Sequence, residues 1–151
     1  MEKKPEKEGE RSACAISRAL EVIGDRWSLL ILRDLMFTQK RSYSELQSCE
    51  EKIATNILAT RLSMLEANGI VVKSTDPENK RRVLYHLTMK GIDLLPVILE
   101  LKEWMKKYNP EVSDCSGQAD DAGASRKELL KEFRKKLKKE HLQAASPAVF
   151  Q

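Results

Sequence analysis

The chain has 151 residues, 41% of them hydrophobic and 33% charged, with a formal net charge of +4. That length holds one domain with a core and some extra chain, and no apolar stretch approaches the roughly 18 residues of a membrane span. Residues 1–11 alternate Lys and Glu with no apolar run, unlike a secretory signal, and the three widely spaced cysteines (Cys14, Cys49, Cys115) do not resemble a secreted disulfide framework. The cytoplasm is the expected compartment. The charge is unevenly placed: residues 126–141 carry eight basic and three acidic side chains, a net of +5, which leaves the remainder about −1. Any attraction for an anionic partner outside that segment must come from local patches.

Residues 1–11, all charge, Gly and Pro, are expected to form a disordered leader. Ser12 then caps a first helix to about Gly24, whose apolar residues Ile16, Ala19, Leu20 and Ile23 recur at helical spacing. Gly24 and Asp25 break the chain, and Asp25 offers the next N-cap. In residues 27–37 the side chains of Trp27, Leu29, Leu30, Ile31, Leu32, Leu35 and Met36 cover most of a helix circumference, the mark of a central helix. Ser42 and Glu45 fit a capping box opening a short helix at residues 42–47. A longer helix over residues 54–68 buries Leu58, Leu62 and Leu65 and stops at Gly69. Two strand-like runs follow, residues 70–74 and 82–88, joined by the polar turn 76–80, with Val83, Tyr85 and Leu87 sharing one face. Thr88 caps a final apolar helix to Tyr108, kinked near Ile92 because Pro96 removes a backbone hydrogen bond. Residues 109–125 read as a flexible linker, 126–142 as a basic amphipathic helix with Leu129, Leu130, Phe133 and Leu137 on one side, and 143–151 as a disordered tail.

Helix, turn, helix, then a basic hairpin is the winged helix-turn-helix order, an α+β fold that is mainly helical with a two-stranded wing, placed here within residues 12–108. The order points to transcription regulation and away from catalysis. No nucleophile elbow, glycine-rich phosphate loop or paired-carboxylate motif stands in the chain. His86, expected to be partly exposed on its strand, and His141 have no metal-ligand spacing, so no metal or other cofactor is expected.

A resemblance becomes specific from Cys14 onward. The run Cys14-Ala15-Ile16, then Ile23-Gly24-Asp25-Arg26-Trp27-Ser28-Leu29-Leu30, is similar to the opening of the HxlR-type winged-helix regulators, relatives of the MarR group. Tyr43-Ser44-Glu45-Leu46, Arg61-Leu62, Leu65-Glu66, Gly69-Ile70-Val71, Leu87-Thr88, Gly91 and Leu95-Pro96-Val97-Ile98 follow in register, so the likeness covers about residues 14–106. Departures are Ala54 where a cap-forming Ser is usual, and a wing turn without the usual aromatic and paired prolines. The resemblance implies a homodimeric DNA-binding regulator, commonly a repressor, that dimerises through its first and last helices. Ile16, Leu20, Leu95, Ile98, Leu101, Trp104, Met105 and Tyr108 are then the interface residues. It also implies recognition by the helix over residues 54–68 in each of two half-sites, about 34 Å apart on a pseudo-palindromic operator in double-stranded DNA.

On the recognition helix, Thr55, Asn56 and Thr60 are expected to reach base edges, since Asn pairs with adenine and a Thr methyl packs on thymine. Arg61 reaches either a phosphate or guanine, or bridges internally to Glu45 or Glu66. Ser42, Tyr43 and Ser44 at the preceding helix and Lys80, Arg81 and Arg82 on the wing complete the expected DNA contacts. Cys14 at a helix start is either a thiol that senses oxidants or electrophiles, as in several HxlR-type proteins, or a small hydrophobe packed at an interface. Cys49 is read as structural and Cys115 as an exposed linker residue. An effector of small-molecule or electrophile type is left open, as is a winged helix that docks proteins without binding DNA. Three roles are open to the basic segment 126–142, namely nonspecific DNA affinity through its Lys and Arg face, packing of its apolar side on the dimer, or a solvated face, and the last two jointly are expected.

Overall fold

The computed structural model describes residues 12–114 and 125–145. The expected leader, residues 115–124 of the linker with Cys115, and residues 146–151 of the tail lie outside the described residues. Seven α-helices and one β-hairpin are described, with a short π-helical turn after the last helix.

Helix α1 (Ala15–Ile23) turns only Ile23 into the core and leaves Ile16 and Leu20 exposed. Its N-cap is Cys14, not Ser12; the Ser12 hydroxyl instead accepts the Cys14 amide at 3.1 Å. Asp25 caps α2 (Arg26–Phe37), accepting from the Ser28 amide at 2.8 Å and the Ser28 hydroxyl at 2.7 Å. Ile31, Leu32, Leu35 and Met36 are fully enclosed, so α2 is the central helix, while Leu29 and Leu30 stay half-buried on its far side. The capping box at Ser42 and Glu45 opens α3 (Tyr43–Gln47). Helix α4 (Thr55–Ala67) packs Leu58, Leu62 and Leu65 inward and ends at Gly69, whose φ of 68° suits glycine.

Strands β1 (Val71–Thr75) and β2 (Val83–Leu87) pair antiparallel, with Val71 opposite Leu87 and Thr75 opposite Val83. The stem is buried at Val71 and Leu87, and exposure grows toward Val83 at the tip. Outside the hairpin Ser42 bridges to Leu84, and the Tyr85 amide donates to the Arg41 carbonyl at 2.7 Å, so the wing stem is hydrogen-bonded to the approach to α3.

The expected kinked helix is two helices. Thr88 caps a single turn, α5 (Met89–Ile92), and α6 (Leu95–Tyr108) starts anew with Pro96 in its first turn. A proline needs no amide partner there, so the chain ends one helix and begins another without losing a hydrogen bond. Gly91 lies so close to β1 that an added Cβ would meet the Ile70 carbonyl at 2.3 Å.

The basic segment folds as α7 (Arg126–Leu137), capped by Ser125 and Glu128, followed by a π-helical turn, Lys138–Leu142. It packs on its own protomer: Leu137 and His141 are fully buried, and Phe133 stacks on Phe37 with ring centroids 5.2 Å apart. His141 accepts the Leu87 amide at 3.0 Å on Nδ1 and, through Nε2, bonds the Leu35 carbonyl at 3.1 Å. One imidazole thus ties β2 to α2, and those two bonds fix the neutral tautomer with its proton on Nε2. Burial and the Arg41 guanidinium push His141 down to about 3. His86, expected at the surface, is buried beside it, its Nε2 2.8 Å from the Ser74 hydroxyl and its ring 6.2 Å from that of His141. Residues 126–142, expected as a helix beyond a linker, pack against the domain, and in the expected tail Gln143 and Ala144 are exposed while Ala145 is buried. Each fully buried Leu or Phe contributes about 1.5–3 kcal/mol. Asp114 takes Lys102 at 3.2 Å and Lys106 at 3.7 Å, holding the start of the expected linker to α6.

Candidate nucleic-acid interface

Three polar ties hold α4 at a fixed angle. Arg33 on α2 forks onto Glu51 in the turn between α3 and α4, at 2.5 and 2.9 Å, while its Nε donates to Asp34 at 2.9 Å. Buried Asp34 also receives Lys40 at 3.3 Å. The Arg33 fork pushes Glu51 down to about 2. Arg61 on α4 pairs with Asp25, the cap of α2, at 3.4 Å, and the Tyr43 hydroxyl donates to the Thr55 carbonyl at 2.5 Å. The signal for the first tie was in the sequence, because Arg33 and Asp34 interrupt an apolar run; their partners were not.

With its leucines inward, α4 presents Thr55, Asn56, Ala59, Thr60 and Ser63 to solvent. These are small and mostly polar, so a second surface approaches closely without displacing long side chains. The Thr60 hydroxyl donates to the Asn56 carbonyl at 2.8 Å, leaving its lone pairs outward. The N-cap is Ala54 and supplies no side-chain bond, so the first amides of a thirteen-residue helix meet solvent at the exposed end.

Of the other expected DNA contacts, Tyr43 is half-buried, and Ser44, Lys80 and Arg81 are exposed. Three differ from expectation in physical role. Ser42 is buried and spends its hydroxyl on the α3 cap. Arg82 donates to that hydroxyl at 3.1 Å and to Glu45 at 2.7 Å, with Asp76 at 3.6 Å, so it clamps the wing stem to α3. Arg61 is engaged with Asp25 and not with Glu45 or Glu66. Glu45 is pushed down to about 2, first by the Ser42 and Arg41 amides and then by the Ser42 hydroxyl and Arg82. Lys73 on the wing pairs with Glu66 of α4 at 3.0 Å.

A second surface lies on α1 and α6. Ile16, Leu20, Leu101, Trp104, Met105 and Tyr108 are exposed, Trp104 and Tyr108 by 61% and 65%. Leu95 and Ile98, expected with them, are buried in the protomer's own core. Beside the exposed set, a groove of about 310 Å³ between α2 and α6 is lined by Leu29, Leu30, Phe37, Leu101, Met105 and Val112. Cys14 sits exposed at the start of α1, and the Ser17 and Ile16 amides pull its thiol below the ordinary value. Cys49 is buried in the core. Among the described residues no helix is long and apolar enough to cross a membrane.

The model of the HxlR-like helix-turn-helix family matches residues 22–113. The HTH-type transcriptional regulator YodB of Bacillus subtilis is 37% identical over 90 residues, spanning 60% of this chain and 80% of its own length. Among solved structures, PA1607 aligns with a TM-score of 0.64 at 34% identity, over 76% of this chain and 80% of that one. The redox regulator HypR in its oxidised form aligns with a TM-score of 0.54 at 33% identity, over 62% and 96%. The family match contains the ties, the recognition-helix face and the wing; Cys14, α7 and the π-helical turn fall outside it.

Proposed function

The chain belongs to the HxlR-like helix-turn-helix family of DNA-binding transcription regulators, and from that premise we propose a homodimeric, cytoplasmic repressor that binds a pseudo-palindromic operator. The observation that carries the reading is the exposed Thr55, Asn56, Thr60 face, held in place by the Arg33–Glu51 fork yet covered by no other part of the described protein. In a major groove Asn56 reads adenine and Thr55 or Thr60 packs on a thymine methyl. The uncapped start of α4 and the wing residues Lys80 and Arg81 face the phosphates on either side. Tyr43 and Ser44 add backbone contacts, while Ser42 and Arg82 hold the scaffold.

Dimerisation joins the exposed faces of α1 and α6, centred on Trp104, Leu101, Met105 and Tyr108 with Ile16 and Leu20. An apolar patch of this kind on a protein that otherwise exposes charge is typical of an association surface. Cys14 stands at the edge of that patch with a thiol biased toward thiolate. Its thiolate adds across an activated C=C, forming a C–S bond as the π bond breaks and the neighbouring carbon takes up a proton, or it attacks a peroxide oxygen, forming an S–O bond as the O–O bond breaks and the other oxygen leaves as water, to give a sulfenic acid. Either product at the subunit contact changes the spacing of the recognition helices and so the operator affinity.

Selection of bound sites from random-sequence duplexes tests the reading directly. A two-fold-related consensus that wild type prefers and the Asn56→Ala variant does not is the expected result; recovery of no consensus ends it. Sedimentation of a Trp104→Asp variant checks the dimer, with a monomer expected. Gel shifts with N-ethylmaleimide or peroxide, comparing wild type with Cys14→Ser, check the thiol, and equal responses remove Cys14 from the mechanism.

A further inference from the structure

The π-helical turn and α7 put Lys127, Lys131, Lys135, Lys138 and Lys139 on one solvent-facing stripe, opposite the half-buried Leu130 and Phe133 and the buried Leu137 and His141. The other cations of the segment are engaged: Arg126 with Glu100, Arg134 with Asp93 at 2.5 Å, and Lys136 with Glu140 at 3.8 Å. Among the described residues the five stripe lysines have no ion-pair partner. Lys135, Lys138 and Lys139 line a shallow concavity with Lys136, Leu142 and Gln143, where Glu132 is the acidic member.

The segment is also fixed in direction. Its π-helical end is held by Glu140 to Gln39 at 3.3 Å and to Arg41 at 3.8 Å, in the loop that enters α3, while its first residue is held to α6. Arg41 stands two residues before Tyr43, the start of the helix that crosses the DNA backbone in a helix-turn-helix. At about 1.5 Å per residue the stripe runs roughly 18 Å, a length over which a duplex presents about ten phosphates. The net charge of residues 126–141, +5, exceeds the +4 of the whole chain, so the excess positive charge lies in this segment.

We propose that the α7 lysine stripe is a second, sequence-independent contact for duplex DNA, binding phosphates outside the half-site read by α4. It rests on the DNA-binding reading and extends it to a larger footprint. The stripe adds affinity for the flanks, not discrimination, because phosphate contacts carry no base identity.

The test uses the full chain and a variant with all five stripe lysines changed to Gln, matched by thermal melt. Probes are duplexes recovered by selection, at about 20 base pairs (two half-sites one turn apart) and with random flanks at about 40 base pairs. Wild type is expected to tighten on the longer probe by roughly tenfold more than the variant, with a salt slope steeper by about 0.9 per lost contact. Its hydroxyl-radical footprint is expected to reach further outward on both sides. Equal flank gain and equal footprints in the two proteins overturn the proposal while leaving operator binding intact. Failure of wild type on both probes ends the DNA-binding reading and this proposal with it. Lysine-dependent pelleting with phosphatidylserine vesicles, alongside unchanged footprints, also overturns it and assigns the stripe to a lipid surface.

Discussion

Helices α4 and α7 both bury a leucine-rich side and turn the other to solvent, yet the outward faces are opposites. That of α4 is small and nearly uncharged, with Thr55, Asn56, Ala59, Thr60 and Ser63; that of α7 is a row of lysines. On the proposed reading of both faces, the difference separates two tasks within one small protein. Discrimination needs short polar groups at hydrogen-bond distance from base edges, and a long cation there would neutralise a phosphate whatever the sequence. Affinity needs charge, and charge works from a helix with no part in reading.

The sharpest way to break this comparison is to show that α7 is a loose appendage. Leu137→Ala is expected to cost about 2–5 kcal/mol in urea unfolding, because Leu137 is fully enclosed in the common core. An unchanged midpoint would detach α7 from the domain. The next effect is on pH. His141 is neutral in the folded chain, held down to about 3, whereas an unfolded histidine titrates near 6.5. Between those values the unfolded chain binds more protons, so stability is complete above about pH 6.5 and falls as the pH drops. Between about pH 7 and pH 5 the loss is on the order of 2 kcal/mol. His86 is lowered in the same direction by burial and Arg41. Urea midpoints for wild type and His141→Gln across that range check it, with a flatter dependence expected in the variant.

Asn56→Ala sharpens the other side. It is expected to remove about 1–3 kcal/mol of preference for the selected site over a scrambled one, leaving nonspecific binding and the salt slope unchanged. The smallest effect belongs to the wing. Arg81→Ala is expected to weaken binding to all sequences alike and flatten the salt dependence by about 0.9 log unit per protomer contact. A change in sequence preference from that variant would blur the separation between reading and holding.

What was legible in the sequence was local. The Ser42–Glu45 box, the Asp25 cap, the Gly69 stop and the apolar girth of α2 are each specified by residues within a turn of one another, and all stand in the structure. So does the leucine stripe that leaves the α4 face outward. What was not legible depended on distant partners. Arg82 reads as a cation for DNA and Arg61 as one for DNA or for Glu45 or Glu66, and nothing near them in the chain points to Glu45 for the first or Asp25 for the second. His86 read as exposed because the imidazole that covers it arrives 55 residues later. The split at α5 and α6 is not legible, because a proline at position 96 interrupts one helix and opens another equally well.

The Arg82 clamp has a consequence for signalling. With Arg82 bridging Ser42, Glu45 and Asp76, and Lys73 reaching Glu66, hairpin and reading helix are riveted into one plate. On the proposed dimeric reading, a chemical event at Cys14 shifts each plate relative to its twin, and the quantity that carries the message is the gap between the two α4 helices.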